Sequence, residues 1–493
     1  MTRTYLTTTL PYVNARPHLG FALELVQADV LARHHRRRGD EVWSQTGTDE
    51  NSLKNVLAAQ AAGVPVADLV DRNASAFADL GRLLDLSLDD FVRTGRDARH
   101  RAGVHRLWRD CAAAGDLYRR YYEGLYCVGC EQFYEPGELP GGVCPEHNVA
   151  PQPVAEENWF FRLSRYRDRL REVIATGRLR VEPESRRNEV LAFLDGGLRD
   201  LSVSRSRARA RGWGIEVPDD PGQVVYVWWD ALGNYVSGPG YGTGDEAYRR
   251  WWVGADRRVH LLGKGVLRFH AVYWPAMLLS AGLPLPTEIF VHDYLTAGGA
   301  KISKSSGTGA EPSDLVARYG TDAVRWWLLR EVPRVGDVEF TPERLVARAN
   351  SDLANGLGNL VNRVVAMVHR CGGGRVPEIG ITAEGAALRA ACDSVGGKVD
   401  AALAVFDFRR AAGAVWEIVT EANRYVERVR PWELAAAGRD ADLDGCLGLL
   451  VAACRCLAVE LAPFLPGLAG RVAAQCAGEV LAPARPLFVR IGQ

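Results

Sequence analysis

Lysine is nearly missing from this chain. Only five of its 60 cationic side chains are lysines (Lys54, Lys264, Lys301, Lys304 and Lys398), and the other 55 are arginines. Sixty acids offset them, so the formal net charge is zero. That excludes a protein that grips nucleic acid by overall positive charge and leaves only local patches for the purpose. Long apolar runs are missing too: no stretch of about 18 apolar residues occurs, so no membrane-spanning helix is expected. The N-terminal MTRTYLTTTLPYV lacks the regions of a secretory signal, which makes a cytoplasmic location the expectation. Ten cysteines in 493 residues are too sparse for a disulfide scaffold. What remains, 47% hydrophobic and 24% charged, is the composition of a folded chain. At roughly 100–200 residues per domain, its length suggests about three domains.

Residues 3–9, rich in Thr and Tyr, read as a strand that breaks at Leu10-Pro11. Apolar residues then recur at helical spacing through Leu23, Val26, Val30 and Leu31, and residues 40–50 read as a second strand. Strand, helix, strand is the grammar of a parallel α/β sheet, whose ligands sit at the carboxyl ends of the strands. From about 115 to 225, short aromatic segments, turns and a cysteine cluster interrupt that rhythm, as an inserted domain would. It returns in 224–236, 260–278 and 288–295. Beyond about 340 the chain is Ala, Leu, Val and Arg at a 3.6-residue period, a helical bundle with breaks expected at 372–374 and at Arg430-Pro431.

Four constellations carry chemistry. Pro17-His18-Leu19-Gly20 stands where a loop enters a helix, whose N-terminus attracts anions while the imidazole adds a donor. Taken alone, a His beside Gly reads first as a cap or surface residue. Lys301-Ile302-Ser303-Lys304-Ser305 follows a Gly-Gly loop and places two of the five lysines three residues apart, which suits charge developing on a phosphate. A solvated Lys/Ser loop is the plainer alternative. Cys127-x2-Cys130-x13-Cys144-x2-His147 gives two paired-ligand knuckles for a closed structural zinc site, with redox CxxC as its rival. Finally, 226–235 and 269–275 concentrate aromatics that suit either a core or an apolar ligand pocket, and residue type alone leaves both open.

Taken in order, HLG, GTDEN, CVGC…CPEH, EENWFF, YVWWDAL, RFHAVYWPAML, KISKS, SDLANGLGN and RPWEL resemble the methionyl-tRNA synthetases, a class I aminoacyl-tRNA synthetase family. The resemblance runs from residue 4 to about 434. It implies an α/β fold: a Rossmann-like class I catalytic domain (1–114 and 224–310), an inserted connective domain with a zinc knuckle (115–223), a stem-contact linker (311–345) and a C-terminal α-helical anticodon-binding bundle (346–493). It implies ATP-dependent activation of methionine to the adenylate and transfer to the 3′ end of methionine tRNA. ATP would be bound by Pro17, His18, Gly20, Lys301, Ser303, Lys304 and Ser305, with His18, Lys301 and Lys304 catalytic. Methionine would be bound by Leu10, Tyr12, Asp49, Trp228, Ala231, Leu232, Tyr235 and His270, and the anticodon by Asn359, Arg363 and Trp432. Mg2+ is implied with the nucleotide, and structural Zn2+ at Cys127, Cys130, Cys144 and His147. No extra C-terminal dimerising domain is expected, so a monomer is.

The chain also departs from the family. Phe21 replaces a second histidine, Asn51-Ser52 a His-Gly, Gly265 an aspartate thought to help hold the nucleotide, Asp293 a glycine and Ile302 a methionine. Each hydrogen bond lost at Phe21 and Gly265 would cost about 1.5–3 kcal/mol. On those departures two further readings stay open: a paralogue activating methionine or an analogue in a biosynthetic or resistance role, and a catalytically weak tRNA-binding protein. The arginine runs 165–173 and 205–212 are expected to be surface patches for RNA.

Overall fold

The structure, a computed structural model, describes residues 1–129, 132–145, 148–244, 246–302, 311–380 and 383–492. The chain divides into two compact units: residues 1–17, 35–81 and 87–292, and residues 18–34, 82–86 and 293–493.

The first unit is built on a six-stranded, all-parallel sheet. Its strands are β1 (Arg3–Thr8), β2 (Glu41–Thr48), β3 (Asp90–Arg93), β4 (Arg180–Glu182), β5 (Arg257–Gly263) and β6 (Glu288–His292), in the spatial order β3-β2-β1-β5-β6-β4. Every residue of β6 is buried, and so are five of the six in β1, the pattern of strands covered on both faces. The strand order reverses between β1 and β5, and a crevice beside such a switch point is where open α/β sheets bind ligands. The edge strand β4 lies within the stretch expected to be an insertion, which thus returns one strand to the main sheet. The rest of that stretch includes its own antiparallel sheet, in the order Gln132–Tyr134, Leu117–Cys127, Gln152–Phe161 and Leu201–Ser202.

The second unit holds most of the helix Leu19–Arg37, a hairpin and a succession of helices. The hairpin pairs Leu295–Ala297 with Ala300–Lys301, and its first strand also runs parallel to Val338–Glu339. From Pro342 the chain stays helical to Gly372, passing through a π-helical segment at Asn350–Gly358. Both expected breaks occur: Gly373 ends this helix at φ +60°, and Arg430, at φ +48°, separates Phe408–Val429 from Pro431–Ala436. Gly373 meets no penalty in this left-handed conformation because it lacks a Cβ. Asp440–Leu461 and Pro466–Gln475 complete the run. Among the described residues no helix is long and apolar enough to cross a membrane.

One side chain gathers the second unit. Arg325 is fully buried and donates through Nη2 to Asp29 Oδ2 on the first helix (2.7 Å), through Nε to the carbonyl of Phe464 (2.9 Å) and through Nη1 to that of Leu84 (2.8 Å). A guanidinium suits the task because its planar donors point in fixed directions, whereas lysine offers one compact ammonium. A buried ion pair need not stabilise relative to apolar packing, but breaking one is costly because a charge is left in low dielectric. Arg325→Ala is therefore expected to lower the unfolding free energy by about 3–5 kcal/mol. Arg33→Ala, at a more exposed partner of the same aspartate, should cost about 1 kcal/mol or less. Urea unfolding followed by tryptophan fluorescence checks the difference, and equal losses would contradict it.

Candidate functional site

In the first unit, β1 and β2 deliver two loops to the same carboxyl edge of the sheet. Tyr12 and Asp49 form a parallel bridge just beyond the strand ends, with the Asp49 N–H on the Pro11 carbonyl at 2.9 Å. Asp49 is buried, although a carboxylate loses much hydration there and needs donors around it. One such donor is the backbone N–H of Asn51, 3.3 Å from Oδ1. Leu10 and Tyr12 are half-buried, and the Lys54 ammonium stands 4.7 Å from the centre of the Tyr12 ring.

The opposing wall comes from the helix Val227–Ser237 and from the segment after β5. Trp228 meets Tyr12 edge-on at 6.3 Å, lies flat on Phe269 at 3.8 Å and meets His270 edge-on at 6.4 Å. Ala231, Leu232, Tyr235 and His270 are all buried. Helical spacing puts Trp228, Ala231, Leu232 and Tyr235 along one face. His270 Nδ1 lies 2.9 Å from the Val266 carbonyl, which can only accept, so the proton sits on Nδ1 and Nε2 accepts from the Tyr235 hydroxyl at 2.8 Å. The structure thus brings the side chains of Tyr12, Trp228, Tyr235 and His270 into one connected group, to which Asp49 is joined through its backbone bridge with Tyr12. It also places Phe269 in that group, against the tryptophan face. Sequence reading noticed Phe269 only as one aromatic among many.

Behind this wall, Tyr235 packs on His260 at 4.2 Å. His260 Nε2 accepts from Trp274 Nε1 (3.2 Å), so Nδ1 donates to Thr7 Oγ1 (2.5 Å). Burial, then His270, then Arg258 hold the His260 imidazole well below its ordinary 6.5.

The second unit carries the other expected groups. His18 begins the helix, its carbonyl accepting from the N–H groups of Phe21 (3.0 Å) and Ala22 (3.3 Å). A Cβ on Gly20 would come to 3.0 Å from the His18 ring, so a larger residue there would push the imidazole aside by a few tenths of an ångström. Phe21 is buried, which suits an apolar ring better than the polar histidine usual there. The Lys301 backbone closes the hairpin opposite Thr296, while Ser303, Lys304 and Ser305 lie outside the described residues. Asp293 Oδ2 accepts from the Gly336 N–H at 2.6 Å and Asp337 Oδ1 from the Tyr294 N–H at 2.9 Å, tying the base of the hairpin to its neighbouring strand. That gives Asp293 a structural reason to stand where the family usually has glycine.

Asn359 and Arg363 share the helix Asn359–Gly372, the first exposed and the second half-buried, with Arg363 Nη2 donating to Asn423 Oδ1 at 3.1 Å. Trp432 is 48% exposed, unusual for so large an apolar ring. Between residues 115 and 223, Cys127 and Cys144 are buried together with Tyr134 and Leu139, and Cys144 Sγ lies 3.7 Å from the Tyr134 hydroxyl. The two other expected ligands, Cys130 and His147, lie outside the described residues.

The arginine runs lie only partly at the surface: Arg165, Arg169, Arg171, Arg207 and Arg211 are exposed, while others turn inward. Arg205 is buried over the rings of Tyr226, Tyr126 and Phe133, and Arg209 covers Tyr126 and pairs with Glu156. In the other run Arg165 pairs with Asp116, Arg171 pairs with Asp195, and Arg167 donates to the Leu194 carbonyl. Charge counting along the sequence misses this because guanidinium planes stack on aromatics and bridge carboxylates inside a fold.

The family model for class I tRNA synthetases (M) matches residues 4–153 and 135–365. The methionine–tRNA ligase of Mycobacterium bovis is 42% identical over 477 residues, 95% of this chain and 91% of the relative. That of Caldanaerobacter subterraneus subsp. tengcongensis is 40% identical over 468 residues, 94% of this chain and 72% of the relative. A Mycobacterium tuberculosis methionyl-tRNA synthetase solved in complex with methionyl-adenylate superposes with a TM-score of 0.93 at 39% identity, covering 99% of this chain and all of that one. The chain belongs to the class I methionyl-tRNA synthetases. The apo form of the Mycobacterium tuberculosis synthetase is also similar, with a TM-score of 0.87 at 36% identity over 100% of this chain and 99% of that one. With the methionyl-tRNA synthetase family comes its Rossmann-like α/β fold, the parallel sheet described above.

The buried His260 makes stability of this first unit depend on pH. Its folded pKa lies below the unfolded one, so the unfolded chain takes up the proton first as pH falls, and the stability held above about 6.5 declines below it. His35 and His105, also lowered chiefly by burial, act with the same sign. His260→Asn should flatten the fall between about pH 6.5 and 5 by up to about 1.4 kcal/mol per pH unit. Denaturant midpoints across that range test it, and an unchanged slope would contradict it.

Proposed function

We propose that this chain is a methionine–tRNA ligase, activating methionine with ATP and transferring it to the 3′ end of methionine tRNA. The observation that carries the reading is the linked group of Asp49, Tyr12, Trp228, Tyr235 and His270, found in a chain similar throughout its length to one solved with methionyl-adenylate. Asp49 would hold the substrate ammonium. Leu10, Tyr12, Trp228, Ala231, Leu232, Tyr235 and His270 would surround the thioether chain, whose sulfur packs well against ring edges.

The methionine carboxylate then attacks the α-phosphorus of ATP. The bond to the bridging oxygen breaks, and pyrophosphate leaves. Catalysis of such a step is largely positioning and electrostatic stabilisation. His18 would donate near the triphosphate, while Lys301 and Lys304 would follow the charge that develops, with Pro17, Gly20, Ser303 and Ser305 shaping the nucleotide site. Mg2+ would accompany the nucleotide and neutralise phosphate charge. The 3′-terminal hydroxyl of the tRNA next attacks the acyl carbon and AMP leaves.

Among the described residues no set of three His, Cys, Asp or Glu side chains is arranged to hold a metal. The buried Cys127 and Cys144 fit half of a thiolate site, and Cys130 and His147 would complete it. Four protein ligands leave no open position, so such a zinc would be structural. Asn359, Arg363 and Trp432 would read the anticodon, the exposed indole stacking on an unpaired base.

Charging of total tRNA with methionine tests the reading, with Trp432→Ala as its sharpest variant. Stacking on an aromatic side chain is worth about 1–3 kcal/mol per base, so charging efficiency should fall roughly five- to a hundredfold while ATP–pyrophosphate exchange holds. Unchanged charging would remove Trp432 from the anticodon site, and a wild-type chain that charges no tRNA would overturn the ligase reading.

A further inference from the structure

Asn51 replaces a residue the family usually keeps as histidine, yet its side chain is firmly held. Its amide Nδ2 donates to Asp230 Oδ2 at 2.7 Å and to the Thr94 carbonyl at 3.3 Å, while its backbone N–H reaches Asp49 Oδ1. Asp230 is buried, and its other oxygen takes a short hydrogen bond from His100 Nε2. A carboxylate only accepts, so the His100 proton sits on Nε2, leaving Nδ1 to accept from the Ser237 hydroxyl at 2.7 Å.

Asp230 and Ser237 lie on the helix Val227–Ser237, seven residues and two turns apart. At roughly 100° per residue they lie on the face opposite Trp228, Ala231, Leu232 and Tyr235. The fully buried His100 imidazole therefore spans the back of the helix whose front forms the pocket wall. The helix Ala98–Ala113 that carries His100 approaches so closely that a Cβ on Gly103 would fall 2.4 Å from Ser237 Cβ. A hydrogen-bonded chain thus runs from Ser237 through His100, Asp230 and Asn51 to Asp49.

We propose that His100, Asp230 and Asn51 form a positioning relay that sets the Asp49 carboxylate at a fixed distance from the aromatic wall, and so matches the pocket to the length of its amino-acid substrate. None of the three is a catalytic residue; each acts through Asp49 or the pocket helix. The inference rests on the methionine reading of this pocket and deepens it. Any side chain that donates to Asp230 from position 51 serves the relay, whether amide or imidazole.

The test is ATP–pyrophosphate exchange by the full chain, with methionine and ATP varied separately. Asn51→Ala removes a hydrogen bond to a charged group and should raise the methionine KM about tenfold, leaving the ATP KM within about twofold. Asn51→Asp, which sets carboxylate against carboxylate, should do the same or worse, and Asn51→His should restore a methionine KM near that of the native chain. His100→Asn probes the far end of the relay, and thermal unfolding of each variant separates misfolding from mispositioning. Folded Asn51→Ala with an unchanged methionine KM, or with both KM values raised alike, would overturn the relay while leaving the pocket assignment standing. A native chain with no methionine-dependent exchange would overturn the pocket reading, and the relay with it.

Discussion

Six parallel strands impose the constraint on which the proposed methionine pocket depends. Parallel neighbours need crossover connections, so every strand ends on the same edge of the sheet and every following loop starts there. The loops after β1 and β2 are hydrogen-bonded to each other at Tyr12 and Asp49, and the segment after β5 supplies His270. A carboxylate, an aromatic cage and an imidazole are thereby assembled from parts of the chain more than 200 residues apart. The tautomer of His270 follows from one backbone carbonyl, which makes Tyr235 a donor to it and fixes both rings. Removing water from such a group strengthens each remaining polar contact, and the same low dielectric penalises any donor or acceptor left unpaired.

The second unit meets a different demand. Its helices come from three separate stretches of sequence, and one buried guanidinium takes carbonyls and a carboxylate from all of them. His34 of the first helix adds a contact of 2.9 Å to Asp400 on Ala386–Leu403. Arginine abundance is therefore more than a matter of surface charge. Many of these side chains bridge carbonyls and carboxylates or lie on rings, which a neutral net charge allows and a count along the sequence cannot distinguish from a patch.

Much of the fold was legible, because hydrophobic periodicity and helix breakers are local signals. β1, β2, the return of the α/β pattern and the breaks at Gly373 and Arg430 all follow from neighbouring residues. Part of the cage around Trp228 was legible through short motifs, since Asp49, Trp228 and His270 stand in recognisable strings, whereas Tyr12 and Tyr235 came only with the resemblance that those strings support. His100 and Asp230 were not read, because a histidine and an aspartate 130 positions apart carry no local sign that a helix pair will join them. The inward turn of Arg205 and Arg209 within the 205–212 run was hidden for a related reason: stacking on Tyr126 and Tyr226 depends on where a distant strand and a helix start come to lie.

The departures from the family pattern divide on structural grounds. Asp293 has a partner in Gly336, Phe21 is buried and Asn51 is held by Asp230, so each is accommodated by its surroundings. Nothing in the structure explains Gly265. The most direct test of the whole account is ATP–pyrophosphate exchange measured with each of the twenty amino acids in turn. Methionine should drive exchange far above every other amino acid; no exchange, or exchange driven best by a different amino acid, would contradict the ligase reading.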